Sequence, residues 1–255
     1  MELNHKVFGS GEPLIILHGL LGSLDNWQSV AKEYAEHFTV FIIDQRNHGK
    51  SPHADAFSYD LLVQDLLAFC EQQHIYKTHL LGHSMGGKVA MQFALENQDF
   101  IDKLLIADIA PVAYAPEHNE IFKALRGIDA KTMKSRKEVE LALAQTIKNF
   151  GVRQFLMKGL TRGENNVFEW KFNLESIWKN YDNILDIFHS DEIFLGETLF
   201  INGSNSSYVL PEHQILINQY FPKNKRETIS NAGHWLHAEQ PEEFCSKTLK
   251  FLLNN

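Results

Sequence analysis

The sequence predicts an α/β protein in which helices cover both faces of a mostly parallel sheet, with one helical insertion. Three observations carry this. Short, almost wholly apolar runs recur in the first half, at 14–17 (LIIL), 40–43 (VFII), 78–82 (THLLG) and 103–109 (KLLIADI), with helical segments between them. The alternation breaks at Pro111 and resumes at 198–202 (TLFIN). A turn of small residues, Gly82-His83-Ser84-Met85-Gly86-Gly87, joins one apolar run directly to a helix.

Each element has its own warrant. Apolar runs of four to seven residues suit strands buried on both faces of a parallel sheet. Helices are expected at about 24–36, 58–73 and 85–97, the last with Met91 and Ala94 at helical spacing. Strand and helix in strict alternation imply right-handed crossovers. From 115 to 195 the pattern becomes helical and strand-poor, with a charged stretch (KTMKSRKEVE) and then the aromatics Phe155, Phe168, Trp170, Phe172 and Trp178. A helix near 211–220, a strand near 225–229 and a helix at 240–252 complete the chain. The expected organisation is a core of 1–114 and 196–255 carrying a cap of 115–195. No internal repeat or linker divides it further.

Composition narrows the function classes. The 255 residues are enough for one large domain with its own core. An apolar fraction of 44% and a charged fraction of 22% are ordinary for a globular protein. A net charge of −8 argues against a nucleic-acid partner, which needs clustered Lys and Arg. Cys70 and Cys245 lie in helical segments and read as buried apolar side chains, and no CxxC occurs. The first residues, MELNHKVFGSGEP, lack the charged and apolar regions of a signal peptide, and no apolar run is long enough to span a membrane. The expected compartment is the cytoplasm.

The turn at 82–87 fits a G-x-S-x-G serine on a sharp strand-to-helix junction. Small neighbours are needed there because the backbone is strained and tightly packed, and the hydroxyl of Ser84 stands above the sheet edge. A serine that attacks a carbonyl needs two backbone N–H donors for the developing oxyanion. Met85 supplies one from the helix start. The turn after the first run, Leu17-His18-Gly19-Leu20-Leu21-Gly22, puts the Leu20 N–H in the second position. The base belongs after the last strand, where Asn231-Ala232-Gly233-His234-Trp235-Leu236-His237 offers two histidines. His234 is preferred, because Gly233 permits a tight loop, whereas His237 suits packing at the helix start.

The acid departs from the common plan. The loop after the 198–202 strand, Gly203-Ser204-Asn205-Ser206-Ser207, holds no carboxylate. Asn205 can orient an imidazole but not stabilise its charge. Asp108, isolated in the apolar run Ala107–Ala110, is costly to bury without a partner, and a protonated histidine is the natural one. Asp44 is the other candidate, with pinning of the Arg46-Asn47-His48-Gly49 loop as its expected role. Metal binding is not expected: His79 and His83 are about 13 Å apart on a strand, no HExxH occurs, and His234 with His237 gives only two ligands. No GxGxxG marks a nucleotide site.

At these residues the chain resembles the α/β-hydrolase superfamily over nearly its whole length. More narrowly it resembles the bacterial YbfF-type esterases and the animal α/β-hydrolase domain-containing protein 11 group. The matching pieces are HGLLGSLDNW at 18–27, DQRNHGKSP at 44–52, GHSMGGK at 82–88, ADIAP at 107–111, NGSNSSYV at 202–209 and AGHWLHAE at 232–239. The resemblance implies the α/β-hydrolase fold, an acid at Asp108, and hydrolysis of acyl esters or thioesters, acyl-CoA among them, without a cofactor.

The expected enzyme is therefore a serine carboxylesterase or thioesterase with Ser84 as nucleophile, His234 as base, Asp108 as acid, and Leu20 and Met85 as oxyanion donors. Trp170 and Trp235 are expected to border an acyl pocket. A carbon–carbon bond hydrolase of the same fold and a catalytically idle binding protein are the competing readings. Enzymes of this fold with an aspartate nucleophile are disfavoured by the serine at 84. The acyl group, leaving group and oligomeric state are not fixed by the sequence.

Overall fold

The computed structural model describes residues 1–187 and 190–254. Seven strands form the main sheet: β1 (His5–Phe8), β2 (Glu12–Leu17), β3 (Phe38–Ile43), β4 (Thr78–His83), β5 (Ile101–Ala107), β8 (Glu197–Gly203) and β9 (Asn224–Ile229), with β6 (Leu160–Arg162) and β7 (Phe168–Trp170) forming a separate hairpin. The sheet order is β1-β3-β2-β4-β5-β8-β9. Only β1 runs antiparallel to its neighbour; the pairs from β3 through β9 are parallel.

The helices of the core are α1 (Gln28–Tyr34), α2 (Tyr59–Gln72), α3 (Met85–Glu96), α9 (Gln214–Tyr220), α10 (Leu236–Glu239) and α11 (Pro241–Leu253). Alternation along β2 shows why the runs are continuously apolar. Ile15 and Leu17 join the core under α2, α3 and α9, while Leu14 and Ile16 join the core under α1 and α11. Both faces of the sheet are thereby covered.

Between β5 and β8 lie α4 (Asn119–Arg126), α5 (Arg136–Thr146), α6 (Phe150–Lys158), the β6–β7 hairpin, α7 (Leu174–Lys179) and α8 (Tyr181–Leu185). Capping makes these starts legible. Ser135 accepts from Glu138 N, Asn149 from Val152 N and Asn173 from Ser176 N. The block sits over the carboxyl ends of the strands and is tied to the core by polar contacts. Tyr59 donates its hydroxyl to Ile184 O at 2.8 Å, Asn173 N donates to Asn47 O at 2.8 Å, and Lys171 pairs with Asp25 at 2.8 Å. Positions 188 and 189 of the expected cap lie outside the described residues.

Two expectations change. The helix expected at 24–36 is a single tight turn at Leu24–Asn26 followed by α1, because Trp27 packs inward against His237 and Phe244 at the junction. The strand expected at 103–109 stops at Ala107, since Asp108 adopts a positive φ of 54° that no strand continues. The strand-poor insertion holds one short hairpin, β6–β7, which Asn165 and Asn166 close in a left-handed turn. Among the described residues no helix is long and apolar enough to cross a membrane.

Candidate active site

Ser84 stands directly after β4 and before α3, with φ 54° and ψ −121°. A non-glycine residue there is strained and persists only where its surroundings over-determine it. They do. Ser84 N donates to Ala107 O at 3.0 Å, and the Ser84 carbonyl accepts from Gly87 N and Lys88 N. A Cβ on Gly82 would lie 2.2 Å from Gly86 O, and one on Gly86 would lie 2.6 Å from the carbonyl oxygens of Leu17 and His18. Only glycine lets the turn close this tightly against β2 and the loop that follows it.

That following loop is held by two buried histidines. His18 accepts from Gln45 N at Nε2 and donates from Nδ1 to Gly19 O at 2.8 Å. His48 accepts from Leu21 N at Nε2 and donates from Nδ1 to Arg46 O at 2.9 Å. Each bond pattern needs a neutral ring, and burial, the largest influence on both, pushes their pKa values down. The loop is thereby fixed with Gly19 against the serine: a Cβ there would lie 3.1 Å from Ser84 Cβ. Among the described residues, neither the Leu20 nor the Met85 N–H has a hydrogen-bond partner. Leu20, Ser84 and Met85 border one small space.

Asp108 is fully buried and accepts three hydrogen bonds. Gly203 N reaches Oδ1 at 3.1 Å, while Ser206 Oγ at 2.5 Å and His234 Nδ1 at 2.7 Å share Oδ2. The carboxylate fixes the proton of a neutral His234 on Nδ1 and leaves Nε2 as the basic nitrogen. The His234 ring stacks on Tyr208 at 4.1 Å, and its carbonyl accepts from His83 Nε2 at 2.8 Å. Burial holds His83 well below the usual histidine pKa, in keeping with a neutral donor. Ser84 and His234 face one cavity of about 190 Å³. The arrangement can relay a proton from a serine hydroxyl to an oriented imidazole backed by a carboxylate.

The rival positions are committed elsewhere. Asp44 accepts from Leu24 N and Lys50 N and receives the Asn4 amide, so it pins the 44–50 loop. Asn205 sits in the turn after β8, with its N–H on Ala232 O. His237 is buried flat against Trp27 at 4.1 Å. Ser206, Tyr208, His48 and His83 were not expected. Only the first had a visible signal, a hydroxyl in the loop where the common plan has an acid.

The cavity wall comes from both parts of the chain. Ile121, Phe155 and Leu156 reach in from the insertion, and Leu21, Tyr208 and Trp235 from the core. Phe155 and Trp235 lie 5.2 Å apart and also border a second cavity of about 350 Å³. Trp235 borders these cavities, whereas Trp170 is not among the residues lining either. The Trp170 ring stacks on Phe172 at 5.5 Å, away from the cavity wall, because β7 turns it into the packing of the insertion itself. Among the described residues, no group of three metal-ligating side chains gathers around Ser84.

Comparison with known proteins finds relatives over nearly the whole chain. Residues 12–143 match the family model described as the alpha/beta hydrolase fold. The chain is 37% identical to the sn-1-specific diacylglycerol lipase ABHD11 of Danio rerio, over 99% of this chain and 83% of that protein. It is 34% identical to Esterase YbfF of Escherichia coli K12, over 95% of this chain and 94% of that one. A solved structure described as a marine microorganism esterase superposes with a TM-score of 0.96 at 46% identity, covering 98% of this chain and 99% of the other.

Proposed function

The chain is a serine hydrolase of the α/β-hydrolase family, and from that premise we propose that it cleaves carboxylic esters through Ser84, His234 and Asp108. The observation that carries the assignment is the bond from His234 Nδ1 to the buried Asp108, with His234 and Ser84 bordering the same cavity. His234 Nε2 takes the Ser84 proton as Oγ attacks the acyl carbon. The charge that develops on the carbonyl oxygen is held by the N–H groups of Leu20 and Met85, backed by the α3 N-terminus. His234, now charged against Asp108, returns the proton to the leaving oxygen. Water then releases the acyl group by the same route.

Relatives named as a diacylglycerol lipase and as esterases support an acyl ester as the substrate class. The apolar side chains Ile121, Phe155, Leu156 and Trp235 offer a wall for the acyl chain. Thioesters, including acyl-CoA, use the same steps with a sulfur leaving group and belong to the same reading. In it, 115–195 acts as a cap on a core made of 1–114 and 196–255. The two buried thiols, Cys70 and Cys245, favour a reducing cytoplasmic setting. The test is labelling with a fluorophosphonate probe followed by an ester chain-length series. Covalent modification of Ser84 and turnover of acyl esters support the proposal. Absence of labelling in folded protein overturns it.

A further inference from the structure

At the opposite end of the sheet, the amino-terminal ends of β2, β4 and β5 bring Glu12, His79 and Asp102 together around a cavity of about 190 Å³. One ligating atom from each lies within 4.8 Å of the others. His79 is only 3% exposed and packs edge-on against Phe38, yet both ring nitrogens face carboxylates. Nε2 is 3.4 Å from Glu12 Oε2, and Nδ1 is 3.6 Å from Asp102 Oδ2. A neutral imidazole has a single N–H and can donate to just one of them. With a single N–H, the ring turns a lone pair toward one of the two carboxylates. Nδ1 is the nitrogen left buried without a hydrogen-bond partner.

We propose that Glu12, His79 and Asp102 bind a divalent transition metal ion, with Zn²⁺ the best match. A gap of 3.6 Å is too long for a hydrogen bond. Two ligands about 2.0–2.1 Å from a tetrahedral zinc stand roughly 3.3 Å apart, so a small contraction seats an ion between Nδ1 and Asp102 Oδ2. Lys77 pairs with the other oxygen, Oδ1, at 2.8 Å and leaves Oδ2 free for the ion. Glu12, whose side chain is 79% exposed, swings from the rim to complete the set. Imidazole with carboxylates selects zinc or its neighbours over Mg²⁺ and Ca²⁺, which prefer oxygen alone. His79 is five residues before Ser84, roughly 16 Å along the strand, so the ion clamps three strand ends and takes no part in hydrolysis.

Calorimetric titration of Zn²⁺ into chelator-treated whole protein tests this, with Mg²⁺ as control. The expected result is one ion per chain, a Tm raised by several degrees at a hundredfold excess over Kd, and no response to Mg²⁺. Binding persists in His234→Ala, which removes the other accessible histidine–carboxylate pair, and disappears in His79→Gln. Glu12→Gln changes an exposed side chain and keeps the fold, so it serves if His79→Gln unfolds. It is expected to weaken binding about tenfold or more, since even outer partners of a metal ligand are worth roughly that much. Absence of one-to-one binding, or binding indifferent to both variants, overturns the assignment.

Discussion

Ser206 donates its hydroxyl to Oδ2 of Asp108 at 2.5 Å, the same oxygen that receives His234 Nδ1. The loop after β8, which lacks an acid of its own, thus supplies a hydrogen bond to an acid housed on the neighbouring strand end. Asp108→Asn is expected to lower kcat by about 10⁴, the scale set by losing the orienting carboxylate. Ser206→Ala removes one bond to a charged group, about 1.5–3 kcal/mol, and should lower kcat roughly 10–100-fold. Asn205→Ala and Asp44→Asn should affect the chemical step less than Asp108→Asn. Pre-steady-state acylation rates of the four variants check the order, and equal losses would leave Asp108 without its role.

Ser84→Ala should lower ester turnover by about 10⁶ while leaving the fold intact. Circular dichroism and the Tm establish the second point, a chromogenic ester the first. Residual activity of more than a few per cent in purified, folded variant would sink the nucleophile assignment.

The Phe155–Trp235 pair divides two cavities of about 190 and 350 Å³. Phe155→Ala or Trp235→Ala should therefore shift the kcat/KM ratio toward longer or bulkier esters, with one methylene worth about 1–3 kcal/mol in a pocket. Trp170→Ala should lower Tm and leave that ratio unchanged. A ratio that moves with Trp170 but not with Phe155 would contradict the cavity wall described here.

His237 is buried against Trp27, and burial, with His234 nearby, lowers its pKa to about 3. The unfolded chain protonates this ring near 6.5, so between those values the unfolded state holds more protons. Stability from this residue is complete above about pH 6.5 and is lost as pH falls toward 3. His237→Phe should flatten the dependence of urea-unfolding stability on pH between 6 and 4 by up to about 1.4 kcal/mol per pH unit. It also removes a buried Nδ1 that has no partner. An unchanged slope would show that the ring is not a neutral buried group.

Lys88 is 1% exposed, and its ammonium donates to Leu185 O at 3.1 Å and Asp186 O at 2.6 Å, at the end of α8. Lys88→Met removes the ammonium from both carbonyls, leaving Leu185 O with only the Tyr114 N–H, and should cost about 2 kcal/mol, or a Tm fall of roughly 4–8 °C for a chain of this size. Differential scanning calorimetry reads it, and a Tm within a degree of the parent would refute the anchoring contact.

Much of this was legible in the sequence because burial on both sheet faces leaves continuous apolar runs, and the strands from Leu14 to Ile106 carry them. β1 was not, since His5–Phe8 is a half-exposed edge whose pairing depends on β3. The β6–β7 hairpin has three residues per strand, too few for a period to show. Ser84 and His234 could be read from local turn chemistry. Asp108 required the absence of a carboxylate at 203–207 together with the cost of burying a lone one. Ser206, Tyr208 and His48 act through contacts made only when distant loops meet, so no local pattern announces them. Trp170 misled because aromatic density marks packing as readily as a pocket.

The lysine at 88 follows Ser84 by one helical turn, so α3 holds the end of α8 while presenting Ser84 at its own start. On the proposed reading of 115–195 as a cap, a movement that keeps those two bonds would hinge at the α8 edge. Substrate entry and product escape would then depend on that hinge rather than on wholesale detachment, and loosening it would trade selectivity for traffic.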